Sequence, residues 1–112
     1  VLVVDDEPGV RAVTSGFLQR AGYAVVQSAS GAEALEAVAA RSDIALVVMD
    51  VMMPGMNGGE AARRIHQLRP DLPVLFVTGY SDIGLLPEGV SVLHKPYTRA
   101  ALLEGVQAML QA

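Results

Sequence analysis

Short apolar runs alternate with longer amphipathic segments along this chain. Five runs have the length and the content of β-branched residues that are typical of strands, and they occupy residues 1–5, 23–28, 44–50, 72–78 and 90–94. Residues 44–49 are apolar at consecutive positions, which indicates a strand that is buried on both faces. The run at residues 23–28 is the least apolar, and we therefore expect it at an edge of the sheet.

The segments between the runs carry the signals of helices. Pro8 fits the first position of a helix, where no backbone donor is needed, and Gly22 is a typical residue just past a helix end. Capping boxes at residues 30–33 and 57–60 start a second and a third helix, and Thr98 caps the last one. The predicted inward-facing residues, helix by helix, are Val10, Val13, Phe17 and Ala21; Leu35 and Val38; Ala61, Ile65 and Leu68; and Leu102, Val106 and Met109.

The segment at residues 79–89 departs from this pattern. It has glycine at both ends, a third glycine, Gly84, and Pro87, and its apolar patch covers only residues 83–86. Because glycine is costly inside a helix, we expect a shortened fourth helix there, of about two turns at most.

The alternation predicts the architecture, because strands separated by single helices pair in parallel through right-handed crossovers. The predicted fold is α/β: a flavodoxin-like doubly wound sheet of five parallel strands in the order 2-1-3-4-5, with a shortened fourth helix. We expect one domain over residues 1–112, since this length is enough to bury a single core. The chain begins inside an apolar run, and we expect it to be a fragment of a longer protein.

Composition and charge narrow the classes of function. Hydrophobic residues make up 52% of the chain, which excludes a disordered or fibrous protein. A net charge of −4 argues against direct binding of nucleic acid. No apolar stretch has the length of a transmembrane helix, so we expect no membrane contact. The absence of cysteine excludes disulfide and thiol chemistry and fits a cytoplasmic location.

Four of the apolar runs end on polar groups that are useful for phosphate chemistry. They end on Asp5 and Asp6, on Asp50, on Thr78 and on Lys95. Ligands bind outside the carboxyl ends of parallel strands, and the predicted strand order places Asp5, Asp6 and Asp50 together. Three close carboxylates repel one another unless a cation or protons intervene. Oxygen ligands without His or Cys favour a hard cation such as Mg²⁺.

Each of these residues also has a purely structural interpretation. Under it, Asp5 and Asp6 cap the first helix near the favourable end of its dipole, and Asp50 caps a turn. Thr78 is then a β-branched residue that suits a strand, and Lys95 is a solvated surface lysine. The occurrence of all these groups at strand ends favours a site instead.

In these residues the chain resembles the receiver domains of two-component response regulators. The matching pieces, in chain order, are Asp5-Asp6-Glu7, Asp50 followed by Met53-Pro54 and Gly58, Thr78-Gly79, and Lys95-Pro96-Tyr97, and they span essentially the whole chain. The resemblance implies that Asp50 accepts a phosphoryl group from a phosphohistidine of a histidine kinase or a histidine phosphotransfer domain. It also implies intrinsic self-phosphorylation and autodephosphorylation rather than metabolic catalysis.

A metal site is part of the resemblance. Asp6 is expected to contact Mg²⁺ directly, and Asp5 mostly through water. Asp50 and the backbone carbonyl of Met52, two residues further on, complete the ligand set. Mn²⁺ is expected to substitute for Mg²⁺.

The resemblance also implies roles for Lys95 and Thr78. Lys95 places a positive charge at the phosphoryl oxygens, and a cis peptide bond to Pro96 is expected to aim it inward. Thr78 is expected to move toward the phosphoryl group and to report its presence.

Two departures from the receiver pattern bear on output. Many receivers have an aromatic residue three positions before the lysine, and this chain has Val92 there. The interval from Thr78 to Lys95 is also several residues shorter than usual. Receivers attached to sensor kinases often look like this, so we expect part of a hybrid histidine kinase or phosphorelay protein that is monomeric in isolation.

Other functions stay open as alternatives. A receiver of a DNA-binding response regulator would have the same site, and a receiver-like module that signals by protein contacts alone would not need it. A flavin-binding protein of similar fold is disfavoured, because Glu7-Pro8-Gly9 stands in place of a phosphate loop rich in Ser and Thr. A phosphatase of the Asp-x-Asp type is disfavoured, because Val51 and Met52 follow Asp50.

Overall fold

The computed structural model of the protein describes residues 1–79, 84, 86 and 89–111. The described elements, in chain order, are β1 (Leu2–Val4), α1 (Pro8–Arg20), β2 (Val26–Ser28), α2 (Gly31–Ala40), β3 (Val47–Asp50), α3 (Gly58–Leu68), β4 (Val74–Thr78), β5 (Ser91–His94) and α4 (Arg99–Gln111). The strands form one sheet in the order β2-β1-β3-β4-β5, and every neighbouring pair is parallel. The predicted sheet is therefore confirmed.

The predicted shortened fourth helix falls on residues 79–89, most of which lie outside the described residues. The label α4 consequently belongs to the C-terminal helix that was predicted after Thr98. Within the described part of the chain, none of the helices has the length and the apolarity that crossing a membrane requires.

The register of the sheet brings the carboxyl ends of four strands to one edge. The residue pairs at this edge are Val4 with Met49, Asp50 with Val77, and Thr78 with His94. Asp5 directly follows β1 and Lys95 directly follows β5, so both reach the same edge as Asp50 and Thr78.

Each face of the sheet has its own apolar core, because side chains alternate between the two faces. One core lies between the sheet and helices α2 and α3, and its strand residues include Leu2, Val4, Val47, Met49 and Phe76. The other lies under α1 and α4, and it includes Val3, Val48, Leu75, Val77, Leu18, Leu102 and Val106. Burial on both faces explains why β1, β3 and β4 are apolar at consecutive positions. β2 is an edge strand, as predicted.

Two strands are shorter than their apolar runs. β2 begins at Val26 rather than at residue 23, and β3 begins at Val47 rather than at residue 44. β1 lies between these two strands and begins at Leu2. Leu2 pairs with Val26 on one side and with Val47 on the other, so both strands begin where β1 begins. Ile44 is nonetheless buried, so the run reports burial rather than strand pairing.

The predicted inner face of α1 is correct only in part. Val10 and Phe17 are half-buried, and Phe17 packs against the core under α1 and α4, but Val13 and Ala21 are exposed. The buried residues of α1 are Thr14, Ser15 and Leu18, whereas Val13 is 56% exposed. An apolar stripe identifies an inner face only when the buried positions are themselves apolar, and two of these carry hydroxyl groups. Leu68, at the end of α3, is also wrong, being 52% exposed. The inward residues predicted for the other helices are buried or half-buried, namely Leu35, Val38, Ala61, Ile65, Leu102, Val106 and Met109.

The side chains predicted to cap helices each accept a hydrogen bond from a backbone amide in the first turn. The backbone N–H of Glu33 donates to Ser30 Oγ at 3.1 Å, that of Glu60 to Asn57 Oδ1 at 3.0 Å, and that of Ala101 to Thr98 Oγ1 at 3.0 Å. The predicted starts of α2, α3 and α4 are therefore confirmed.

Gly58, the first residue of α3, lies directly against the end of β3. A Cβ at this position would be 2.3 Å from the carbonyl oxygen of Asp50 and 2.9 Å from the Cα of Val51. The N–H of Gly58 donates a hydrogen bond to the carbonyl of Val51 at 2.8 Å. Only glycine lets α3 begin this close to the strand.

We expect Gly58→Ala to destabilise the protein by at least about 2 kcal/mol, because the added methyl group must displace backbone rather than a flexible side chain. Urea denaturation monitored by circular dichroism measures the change. Gly16→Ala in α1 is the matched control, since its Cβ would meet nothing within 4 Å. Alanine there should stabilise the protein by up to about 1 kcal/mol. Equal stabilities of the two variants would contradict the close approach at Gly58.

Candidate functional site

Three carboxyl groups meet at the edge of the sheet where β1 and β3 end. Asp5, Asp6 and Asp50 each offer an oxygen atom, and these atoms lie within 4.8 Å of one another. Asp5 and Asp50 are buried, with exposed fractions of 5% and 4%, and Asp6 is half-buried. The predicted juxtaposition of the three residues is therefore present, and it follows from the pairing of β1 with β3.

Lys95 adds one positive charge to this cluster. Its Nζ lies 3.2 Å from Asp50 Oδ1, and its backbone N–H donates to the carbonyl of Thr78 at 2.9 Å. The peptide bond between Lys95 and Pro96 is cis, as predicted. The lysine is thus a partner of Asp50 and not a free surface side chain.

The cluster shifts the ionisation of its members. Burial, and next the negative charge of Asp5, raise the pKa of Asp50 to about 6, although Lys95 acts in the opposite direction. Burial also raises the pKa of Asp5, against the hydrogen bond that its Oδ1 accepts from the N–H of Glu7 at 2.9 Å. Burial disfavours the charged form of Lys95, but the attraction of Asp50 outweighs it and raises the pKa of the ammonium group.

Thr78 and Met52 also lie at this edge. Thr78 is fully buried at the end of β4, and its hydroxyl donates a hydrogen bond to the carbonyl of Gly79 at 2.9 Å. Met52 follows Asp50 by two residues, with its side chain 53% exposed. The chemical roles assigned to these two residues stay predictions.

Two contacts around the site were missed in the sequence. The Arg11 guanidinium donates to the carbonyl oxygen of Asp5 at 2.7 Å, and the hydroxyl groups of Thr14 and Tyr97 are hydrogen-bonded to each other. Arg11 lies one turn inside α1. The predicted helix start could therefore have indicated that its side chain reaches the loop before the helix. No local signal identifies the second pair, since 83 positions separate its members.

The donor set fits a hard cation. Three carboxylates and one ammonium group leave a formal charge of about −2 when all are ionised, and a cation would offset this charge. Only oxygen atoms are offered, which suits Mg²⁺, Mn²⁺ or Ca²⁺ rather than softer metals. The cluster can therefore hold a metal ion and present a carboxylate and an ammonium group to a phosphoryl group.

Comparison with known proteins points to one family. The family model described as "Response regulator receiver domain" matches residues 1–107. The response regulator receiver protein CpdR of Brucella abortus is 32% identical over 117 residues, covering 100% of this chain and 97% of its own length. The sensor kinase CckA of the same organism is 37% identical, covering 99% of this chain and 12% of its own length.

Further similarities extend to a transcriptional regulator and to a solved structure. The C4-dicarboxylate transport transcriptional regulatory protein DctD of Pseudomonas aeruginosa is 33% identical, covering 99% of this chain and 25% of its own length. The receiver domain of NtrX from Brucella abortus superimposes with a TM-score of 0.90 at 26% identity, covering 99% of this chain and 98% of that one. The chain thus spans about the whole of CpdR but a quarter or less of DctD and CckA.

The metal-free protein is expected to lose stability as the pH rises from about 4 to about 7. The pKa of Asp50 is about 6 in the folded protein, above its ordinary value of 3.8, so the folded state binds more protons than the unfolded state in this window. The raised pKa of Asp5 acts in the same direction. Asp50 contributes at most about 3 kcal/mol. Urea denaturation in chelator at a series of pH values measures the slope.

Asp50→Asn is expected to flatten most of this slope and to be more stable than the parent at pH 7. Asp43→Asn is the matched control, because Asp43 is exposed and paired with Arg41 on the surface, far from the cluster. If the parent and Asp50→Asn had the same slope, the pKa of Asp50 would not be raised in the folded protein.

Proposed function

Since this chain belongs to the response regulator receiver domain family, we propose that it accepts a phosphoryl group on Asp50 from a phosphohistidine of a partner protein. The partner is a histidine kinase or a histidine phosphotransfer domain. The observation that carries the proposal is the ion pair of 3.2 Å between Lys95 and Asp50 inside a cluster of three carboxylates. An aspartate with only a structural role would not be stabilised by two further carboxylates whose oxygen atoms lie within 4.8 Å of its own.

The proposed transfer is a displacement at phosphorus. A carboxylate oxygen of Asp50 attacks the phosphorus atom, and the new O–P bond forms as the P–N bond of the phosphohistidine breaks. The electron pair of the P–N bond goes to the ring nitrogen, and because the other ring nitrogen of the phosphohistidine carries a proton, the imidazole leaves as the neutral base. Attack requires the ionised carboxylate, and with a pKa of about 6 this form predominates at pH 7. Lys95, already beside Asp50, offers its charge to the phosphoryl oxygens.

We infer that Mg²⁺ serves this site, with Mn²⁺ as a substitute. Asp5, Asp6, Asp50 and the backbone carbonyl of Met52 would hold it, Asp6 directly and Asp5 mostly through water. When bound, the ion would neutralise charge on the transferring phosphoryl group. Two hydrogen bonds hold Asp5 in place for this role. The backbone N–H of Glu7 donates to its carboxylate, and the guanidinium of Arg11 donates to its backbone carbonyl.

Thr78 is the proposed sensor of the phosphoryl group. Its hydroxyl is fully buried and donates to the carbonyl of Gly79. A phosphoryl oxygen on Asp50 would compete for this donor, and the hydroxyl would have to leave Gly79 to reach it. Loss of that bond, at the first residue after β4, would transmit the state of Asp50 to the chain that follows.

We propose further that the chain belongs to a hybrid histidine kinase or a phosphorelay protein. The match to the sensor kinase CckA supports this context, whereas the match to DctD supports the alternative of a DNA-binding response regulator. Val92 favours the former, because it is half-buried against the core on the α2 and α3 side and has no ring to reorient.

Incubation with acetyl phosphate and Mg²⁺ is expected to add one phosphate, labile to base and hydroxylamine, and Asp50→Asn should abolish the labelling. Mass spectrometry of the intact protein measures it. Asp71→Asn, which removes an exposed carboxylate outside the site, should label like the parent. Undiminished labelling of Asp50→Asn would rule out Asp50 as the nucleophile. An unlabelled parent would favour a receiver-like module that signals by protein contacts alone.

The same assay tests the metal. Chelator should prevent labelling of the parent, and Asp6→Asn should lose most of the labelling that Mg²⁺ supports, because it removes a direct ligand. Labelling that is indifferent to chelator would exclude the proposed metal site.

Sedimentation with and without beryllofluoride tests the proposed context. We expect the domain to stay monomeric in both states, because Val92 offers no aromatic switch to the face formed by β5 and α4. A dimer that forms only with beryllofluoride, and that substitutions in β5 or α4 break, would favour the receiver of a DNA-binding regulator.

A further inference from the structure

A hydrogen bond between two hydroxyl groups ties α1 to the turn that carries Lys95. Thr14 Oγ1 and the hydroxyl oxygen of Tyr97 lie 2.5 Å apart. Thr14 is buried on the inner face of α1, and the half-buried ring of Tyr97 packs against the core under α1 and α4. The bond therefore spans from the helix that follows Asp5 and Asp6 to the turn that follows β5.

This turn, at residues 95–97, is held at both of its ends. At one end, the N–H of Lys95 donates to the carbonyl of Thr78. At the other, the side chain of Tyr97 meets Thr14. The lysine side chain between them is 35% exposed, so packing does not enclose it. Its position over Asp50 depends on how its backbone is held.

We propose that Thr14 is a positioning residue for Lys95: through its hydrogen bond to Tyr97 it holds the turn against α1 and keeps the ammonium group at Asp50. The inference rests on the phosphoryl transfer proposed above. Removal of either hydroxyl leaves the other one largely buried without its partner, which is unfavourable. Outward movement of the turn would relieve this cost by exposing the remaining hydroxyl to water. A shift of about 1 Å in a charged group is enough to slow a reaction that depends on its placement.

A role in packing alone is the competing explanation. If the ring of Tyr97 matters only as an apolar group, phenylalanine would replace it without a change in rate. The chain also offers a matched control, because Ser15 is the next residue of α1 and is likewise buried. Among the described residues its Oγ has no hydrogen-bond partner, so Ser15→Ala removes a buried hydroxyl without breaking a bond.

The test measures the rate of labelling by acetyl phosphate in Thr14→Val and Tyr97→Phe. Each should slow labelling about fivefold, the change expected for the loss of one hydrogen bond. The double variant should be no slower than either single one, because both remove the same bond. Thr14→Ser should restore the parent rate, and Ser15→Ala should leave it unchanged.

Two further measurements separate positioning from a general structural effect. In a Lys95→Ala background, Thr14→Val should cause no additional slowing, because there is no ammonium group left to misplace. In unphosphorylated Thr14→Val, NMR of the Lys95 side chain should show the loss of the ion pair with Asp50, a readout that needs no phosphoryl transfer.

The outcomes distinguish this inference from the proposed function. Parent-like labelling by Thr14→Val, or a slowing that persists in the Lys95→Ala background, would overturn the positioning role while leaving the phosphoryl transfer intact. A parent that is never labelled would overturn the proposed function, and an unchanged Lys95 ion pair in Thr14→Val would independently overturn the positioning role.

Discussion

Repulsion among three carboxylates is the constraint on which the rest of this structure depends. The pairing of β1 with β3 forces Asp5 and Asp50 to the same edge, and burial denies them the solvent that would screen their charges. Burial is the main cause of the raised pKa values of both residues, and the negative charge of Asp5 is the second cause for Asp50. A domain that needed only stability would remove one of these groups. Their coexistence, with a single lysine as counter-charge, fits the metal ion and the phosphoryl transfer proposed above.

Helix α1 does more than cover one face of the sheet. Its first turns supply Arg11 to the carbonyl of Asp5 and Thr14 to the hydroxyl of Tyr97. The contact with Tyr97 explains the buried hydroxyl of Thr14, whereas the buried Oγ of Ser15 has no hydrogen-bond partner among the described residues. The apolar residue Val13 is exposed while Thr14 is buried, which places the Thr14 hydroxyl within hydrogen-bonding distance of Tyr97. The helix thus connects the loop after β1 with the turn after β5, two strands that are not neighbours in the sheet.

The sequence predicted the strands and their ends from short-range information: apolar runs, caps and the residue that ends each run. The strand order, and with it the meeting of Asp5, Asp6 and Asp50, was predicted from the flavodoxin-like arrangement that alternating strands and helices favour. Prediction failed where the deciding contact is distant. The partner of Thr14 is Tyr97, and the burial of two hydroxyl residues in α1 cannot be read from an apolar stripe. The boundaries of β2 and β3 depend on where β1 offers them a partner. The pKa of Asp50 depends on burial and on Asp5, which no local pattern encodes.

The close approach of Gly58 to Asp50 limits the room for movement on one side of the site. The first turn of α3 is in contact with the backbone of Asp50, and the amide of Gly58 is bonded to Val51. The end of β3 and the first turn of α3 are therefore packed backbone against backbone, with no room for a side chain between them. Toward β5, Asp50 is paired with Lys95, which is 35% exposed, and β4 ends on Thr78, whose hydroxyl donates to the carbonyl of Gly79. In the phosphoryl transfer proposed above, the α3 side therefore leaves the least room for Asp50 to move, and a response through Thr78 and Lys95 would begin on the side of β4 and β5.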